Sequence, residues 1–270
     1  MITCTIAGSD SGGGAGIQAD LKTFQELRVF GTSVITALTA QNTEGVHGIF
    51  PTTADFVQAQ LKAVLQDFDI KAIKTGMLFS AEIIEAIVAL LKDTEIPLIV
   101  DPVMIAKGGA SLLEQEATTA LKEKLLPLAT VCTPNIPEAE ILTGYTIQTE
   151  KDINLAAQDL LSLGLECVVI KGGHLNSKHA TDTVFIRGEQ PFKMKTERVD
   201  TKHTHGTGCT FSAAITAEMA KGRSIEAAII EAKKYVQLAI RHPLNIGHGF
   251  GPTNHFAYHE QRGVCNVHVF

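Results

Sequence analysis

Six apolar runs recur along the chain: TCTIAG (3–8), SVITALTA (33–40), IKAIKTG (70–76), PLIVDPV (97–103), ATVCTPN (129–135) and ECVVIKGG (166–173). They are nearly continuous in apolar residues, which suits strands covered by helices on both faces. Between them, GIQADLKTFQELRVF, ADFVQAQLKAVLQDF, SAEIIEAIVALLKD and KDINLAAQDLLSLG carry helical periodicity. In the third of these, Ser80 is placed to cap a helix whose Ile83, Ile84, Ile87, Leu90 and Leu91 share one face. Such alternation predicts one α/β domain with a mostly parallel sheet. The texture changes at TDTVFIRGEQPFKMKTERVDT, where two alternating runs flank Gly188-Glu189-Gln190 and predict a β-hairpin near 182–199. Two long helices, about 207–221 and 224–242, are expected after it.

Composition narrows the function classes. With 270 residues, 45% hydrophobic and 19% charged, the chain can bury a full core. A net charge of -6 without a basic block favours neither nucleic acid nor an anionic membrane. No apolar run reaches the roughly 18 residues of a membrane span, and no basic stretch precedes the short apolar N-terminus as a signal peptide requires. The five cysteines (Cys4, Cys132, Cys167, Cys209 and Cys265) are odd in number and form no Cys-x-x-Cys pair. Neither structural zinc nor a disulfide framework is expected, and a cytoplasmic location is.

Two glycine clusters carry the chemistry. The first, SGGGAG (11–16), lies between a strand and a helix. No Gly-Lys-Ser or Gly-Lys-Thr occurs in the chain, so a P-loop is excluded. Gly14-x-Gly16-x-x-Ala19 fits the permissive dinucleotide fingerprint, but SVITALTA leads into Gln41-Asn42 instead of the required acid. Asp10 and Asp20 flank the loop with no cation between them, so phosphate is the ligand it supports least. A tight turn and a ligand contact both remain open.

The second cluster, THGTGCT (204–210), opens a helix. There the N–H groups of Gly206, Thr207, Gly208 and Cys209 can converge on an anion at the positive helix end. Lys22, Lys107 and Lys171 are candidate partners for that anion, although each alone reads as a solvated charge. A helix N-terminus lowers a thiol pKa, which sets Cys209 apart from the buried hydrophobes expected at Cys4, Cys132 and Cys167. Asn135 and Glu138, at i and i+3, share one helix face and can order water around Mg²⁺, or simply complement a helix start. Asp101 ends a strand at the sheet's carboxyl edge, where α/β proteins place functional groups.

AGSDSGGGAGIQADLKTF, ITALTAQNTEGVHG, KTGML, DPVMIAKGG, TPNIPEAE, IKGGH, KHTHGTGCTFSAA and GHGFGPTNHF together resemble the hydroxymethylpyrimidine/phosphomethylpyrimidine kinases of thiamine biosynthesis. These belong to the ribokinase-like superfamily, close to the pyridoxal kinases, and the resemblance runs from Ile6 to about Phe256. It implies a ribokinase-like three-layer α/β/α sandwich over 1–258, with a tail at 259–270 whose role the sequence leaves open. The implied activity uses ATP and Mg²⁺ to phosphorylate 4-amino-5-hydroxymethyl-2-methylpyrimidine to the monophosphate and then the pyrophosphate. Cys209 stands where many ribokinase-like enzymes place an aspartate base, within a catalytic loop of Gly206, Thr207 and Gly208. The same resemblance assigns substrate contact to Gly8, Asp20, Gln41, Met77 and Val103. The family's asparagine–glutamate metal motif falls on Asn135 and Glu138; with Asp101, read from its place at the sheet edge, they are expected to hold Mg²⁺, mostly through water, and Lys171, Asn135, Thr207 and Gly208 are the expected ATP contacts. MIAKGGASLL (104–113) is the expected lid, and a homodimer is the expected assembly.

Three other readings compete. Pyridoxal kinase uses the same class of reaction on another heteroaromatic alcohol, alone or as a dual activity. An NAD(P)-linked oxidoreductase built on the first loop leaves the second loop unused. A non-catalytic sensor would have no use for Cys209, Asn135 and Glu138.

Overall fold

A computed structural model describes residues 1–104, 115–172, 178–261 and 267–270. The expected lid therefore lies outside the described residues except for Met104, as do Lys107 and Cys265. The strands are β1 (Ile2–Asp10), β2 (Phe30–Asn42), β3 (Gly45–Pro51), β4 (Ile70–Thr75), β5 (Leu98–Val100), β6 (Val131–Cys132), β7 (Cys167–Lys171), β8 (His179–Ile186), β9 (Phe192–Glu197) and β10 (His268–Val269). They form one sheet in the order β10-β9-β8-β7-β6-β5-β4-β1-β2-β3. The middle strands, β2 to β7 by way of β1, pair parallel, while β3, β8, β9 and β10 join antiparallel.

Successive residues of the central strands feed two separate cores. Leu98 and Val100 pack into one cluster and Ile99 into the other; Val168 and Ile170 likewise oppose Cys167 and Val169. This is why the strands read as unbroken apolar runs. The first core is covered by α2 (Ala54–Asp67), α3 (Ala81–Leu91), α4 (Gln115–Ala120), α5 (Ile136–Thr143) and α6 (Glu150–Ser162). The second is covered by α1 (Gly16–Glu26), α7 (Thr207–Ala220) and α8 (Ile225–Arg241). The result is the expected α/β/α arrangement. Ser80 caps α3 by accepting from the Ile83 N–H, and Ile83, Ile84, Ile87 and Leu91 are buried.

The hairpin forms as predicted: β8 pairs antiparallel with β9, and the Glu189 N–H closes the turn on the Ile186 carbonyl. Three local features differ from the sequence reading. The first helix stops at Glu26, because Arg28 takes a left-handed φ of 61° and turns the chain into β2. GVHGIFP, which lacks an apolar run, forms β3 through cross-strand pairing with β2. The C-terminal tail returns to the sheet, where β10 pairs His268 with Lys195 and Val269 with Met194.

This topology sets the carboxyl ends of β1, β4, β5, β6 and β7 along one edge. Asp10, Gly76, Asp101, Asn135 and Lys171 all lie at or just beyond those ends. Phe24 of α1 is fully buried in the second core, on the same layer as α7. Phe24→Ala is expected to cost about 3–5 kcal/mol, read as a lower urea midpoint at unchanged m-value.

Candidate active site

The first glycine loop closes around its own carboxylate. Asp10 Oδ1 accepts from the Gly12 N–H at 2.8 Å, and Oδ2 accepts from Gly14 at 3.0 Å and Ala15 at 2.9 Å. The donors that a phosphate would need are thus satisfied internally, and the loop is an anchored turn. His205 Nε2, 2.9 Å from Asp10 Oδ2, donates to the same oxygen. Burial opposes the Asp10 charge, yet the His205 bond and charge and the Gly12 and Ala15 N–H groups hold its carboxyl below the ordinary value. Lys22 caps the outside of the loop, donating to the Gly13 carbonyl at 2.6 Å.

The second loop is the first turn of α7. Gly206 is the N-cap at φ 80°, and no side chain caps the helix. A Cβ at Gly206 would overlap the Gly14 carbonyl, so only glycine lets the two loops meet. The Thr210 N–H closes the turn on the Gly206 carbonyl at 2.8 Å. The first N–H groups of an uncapped helix remain available to an anion, and those of Gly208 and Cys209 belong to this set.

A row of charge faces this turn. Lys171 Nζ lies 3.2 Å from Asp101 Oδ1 and 3.9 Å from Glu138 Oε2. The Thr133 hydroxyl donates to Asp101 Oδ1 at 3.2 Å, and Ser212 of α7 donates to Oδ2 at 3.4 Å. A Cβ on Gly208 would stand 3.3 Å from Asp101 and 3.5 Å from Lys171, which shows how closely the row approaches the loop. Asn135 and Glu138 form a reciprocal capping box on α5, each side chain accepting from the other's backbone N–H. Burial raises Glu138 to about 7, with Lys171 drawing it down and Asp101 pushing it up.

Cys209 corrects one expectation. Burial pushes its thiol up to about 11, outweighing the pull of Lys74 and of the Gly16 N–H, while Asp20 and Asp101 also push up. The helix terminus alone does not make it a thiolate. Cys4, Cys132 and Cys167 are fully buried, as expected of small hydrophobes.

The substrate candidates divide. Gly8 and Met77 adjoin, since a Cβ at Gly8 would overlap the Met77 methyl group, and Val103 follows Asp101 in the turn after β5. The Gln41 amide lies 3.2 Å from His205 Nε2 and 3.1 Å from Thr39 Oγ1. Because Nε2 carries the proton given to Asp10, the amide oxygen suits His205 and the amide nitrogen suits Thr39. Asp20 is a correction. It has no exposed surface, both its oxygens lie within 3.0 Å of Lys74 Nζ, and Thr5 donates to Oδ2, so it offers no surface to a substrate. Lys74 is the residue that sequence reasoning missed, although a lysine inside the apolar run IKAIKTG requires a buried partner.

The model of the family described as phosphomethylpyrimidine kinase matches residues 10–254. The chain belongs to the phosphomethylpyrimidine kinase family. It is 57% identical over 258 residues to the hydroxymethylpyrimidine/phosphomethylpyrimidine kinase of Haemophilus influenzae, covering 94% of this chain and 96% of that protein. Among solved structures, the Bacillus subtilis pyridoxal kinase in complex with ADP is similar at 42% identity and a TM-score of 0.88, covering 96% of this chain and 98% of that one. The Staphylococcus aureus pyridoxal kinase with AMP-PCP and pyridoxal is similar at 36% identity and a TM-score of 0.90, covering 100% and 98%. Both structures hold nucleotides on the fold seen here.

In this member of the phosphomethylpyrimidine kinase family, Asp10 ties the two glycine loops together. Asp10→Asn removes one acceptor from the N–H and His205 donors and is expected to cost about 2 kcal/mol at pH 7. Because the folded carboxyl is depressed, the difference from wild type is complete above the unfolded value and shrinks as pH falls through the lower folded value. Urea denaturation from pH 7 down to pH 3 measures it.

Proposed function

We propose that this protein transfers the γ-phosphoryl group of ATP to 4-amino-5-hydroxymethyl-2-methylpyrimidine, and then a second phosphoryl group to the resulting monophosphate. The observation that carries this reading is the uncapped first turn of α7, with Cys209 in it, facing the Asp101–Lys171 pair. It is supported by 57% identity to a relative named for both reactions.

In the first transfer, Cys209 Sγ as thiolate takes the hydroxymethyl proton. The alcohol oxygen bonds to the γ-phosphorus, and the bond from that phosphorus to ADP breaks with its electron pair on ADP. The Gly208 and Cys209 N–H groups meet the charge on the equatorial oxygens, and Lys171 neutralises the nucleotide phosphates. Asp101, Asn135 and Glu138 are an oxygen-only set, which suits a hard divalent cation. Their oxygens are engaged with Lys171, Thr133 and the capping box. Among the described residues, moreover, no group of three or more His, Cys, Asp or Glu can hold a metal directly. They fit Mg²⁺ through its water shell, and the ion bound there would offset phosphate charge. On the substrate side, Gln41 retains one acceptor and one donor for a ring nitrogen and its exocyclic amine, with Gly8, Met77 and Val103 as apolar wall.

Pyridoxal phosphorylation as a second activity is favoured by the likeness to two pyridoxal kinases over nearly the whole chain. ADP release with the hydroxymethylpyrimidine, its monophosphate and pyridoxal tests both readings; no turnover with either pyrimidine would refute the first. Cys209→Ala is expected to lower kcat at least about 100-fold for the alcohol but less than about tenfold for the monophosphate, whose nucleophile is already anionic. Equal losses in the two assays would remove the base role from Cys209.

No helix among the described residues is long and apolar enough to cross a membrane, and a cytoplasmic location is part of the proposal. So is a homodimer. Leu38 and Phe50 are opposed on β2 and β3 and, with Ile49 and Phe56, are exposed, which suits cover by a second copy. Sedimentation should give twice the chain mass, and Phe50→Glu should shift it to the monomer.

A further inference from the structure

The segment GHGFGPTNHF enters no step of the proposed reaction, yet it ties two parts of the site together. The Gly249 N–H donates to Thr43 Oγ1 at 3.2 Å and the Phe250 N–H to the Thr43 carbonyl at 2.7 Å, just beyond Gln41. Next along the chain, the Gly251 carbonyl accepts from the His205 N–H at 3.1 Å, and the Thr253 N–H donates to the His205 carbonyl at 3.1 Å. The His205 ring is wedged against Gly14, where a Cβ would stand 2.6 Å from its Cδ2 and 2.9 Å from Pro252 Cβ. With Nε2 donating to Asp10 Oδ2 at 2.9 Å, the backbone and the ring of His205 are both fixed. Gln41 is held as well: its N–H donates to Ser11 Oγ at 2.7 Å, and that hydroxyl donates back to the Gln41 carbonyl at 2.8 Å. What remains to be set is which way the Gln41 amide points. An amide nitrogen 3.2 Å from His205 Nε2 would bring N–H against N–H, because the one proton there is the one given to Asp10. Thr39 Oγ1 donates to the Ser9 carbonyl at 2.9 Å, so at 3.1 Å from the amide it has only lone pairs to offer. One neighbour requires the amide oxygen and the other the amide nitrogen, which leaves a single orientation.

We propose that His205 is a positioning residue which, with Thr39, locks the Gln41 amide so that the site selects an alcohol whose aromatic ring carries an amine beside a ring nitrogen. This rests on the reading of Gln41 as the substrate contact of the proposed kinase. The locked amide presents its acceptor on the His205 side and its donor on the Thr39 side. An aminopyrimidine matches both, its amine meeting the oxygen and its ring nitrogen meeting the N–H. In the hydroxymethylpyrimidine, the carbon next to the amine-bearing carbon carries the alcohol. The pairing therefore sends that alcohol to the His205 side, where Gly206 opens the first turn of α7. A flipped amide would seat the same ring with its alcohol on the Thr39 side, away from that turn. Pyridoxal has no amine beside its ring nitrogen and leaves the amide oxygen unmatched.

The signature is a change in preference, not a general loss of binding. Titration calorimetry on the full-length protein without nucleotide compares 4-amino-5-hydroxymethyl-2-methylpyrimidine with the analogue that lacks the 4-amino group. Wild type should bind the amino compound at least about tenfold more tightly. His205→Leu should reduce that preference to about threefold or less by weakening the amino compound alone. Thr39→Val should act in the same direction, and Thr39→Ser, which keeps the hydroxyl, should stay near wild type. In turnover, His205→Leu should raise KM for the pyrimidine about fivefold while KM for ATP stays within about twofold. A wild type without preference, an unchanged preference in the folded variants, or equal losses for the two compounds overturns the proposal. If His205→Leu does not fold, the contrast between Thr39→Val and Thr39→Ser decides; if neither His205→Leu nor Thr39→Val folds, these contacts are structural and the proposal is wrong. The preference and its loss in a protein that phosphorylates neither pyrimidine would instead overturn the kinase reading alone.

Discussion

The Asp10 carboxylate is the contact on which the site depends. It gathers three backbone N–H groups of the first glycine loop and the His205 ring that precedes the second. Without an internal anion, those donors would need water or a ligand, and the start of α1 would lose its fixed position. With it, the start of α1 is fixed, and Gly206 can pack directly on Gly14. A loop that resembles a phosphate cradle thus serves as the rigid abutment of another one.

Around that abutment the sheet edge collects charges of both signs. Asp101 and Lys171, brought together from the turn after β5 and from β7, face the first turn of α7, while Asp20 of α1 and Lys74 of β4 form a second, fully buried pair. Burial makes each of these charges expensive alone, so each is paired. The helix terminus then acts inside a preset field instead of in water, where its contribution would be screened. The membership of the chain in the phosphomethylpyrimidine kinase family accords with such a site, because phosphoryl transfer asks a protein mainly for positioning and charge.

Much of this was legible in order and little of it in geometry. Continuous apolar runs revealed a sheet covered on both faces, and Gly188-Glu189-Gln190 marked the hairpin, because local period and turn chemistry are properties of short segments. Strands β3 and β10 escaped notice because their stability comes from the partner strand rather than from their own residues. Asp10 looked like an acid that repels phosphate, which is correct in sign, but its bonds to Gly12, Gly14 and Ala15 require a fold that bends the loop back on it.

By itself, the sequence determined the α/β alternation, the two glycine clusters and the position of Cys209 in the first turn of a helix. The tertiary structure decided which charges meet. His205 and Asp10 are 195 residues apart, Lys171 and Asp101 are 70 apart, and Lys74 and Asp20 are 54 apart. It also decided the state of the Cys209 thiol, raised by burial against the local helix effect. The physical reason is range: backbone preference acts over a few residues, whereas desolvation and Coulomb energy sum over everything the fold packs nearby.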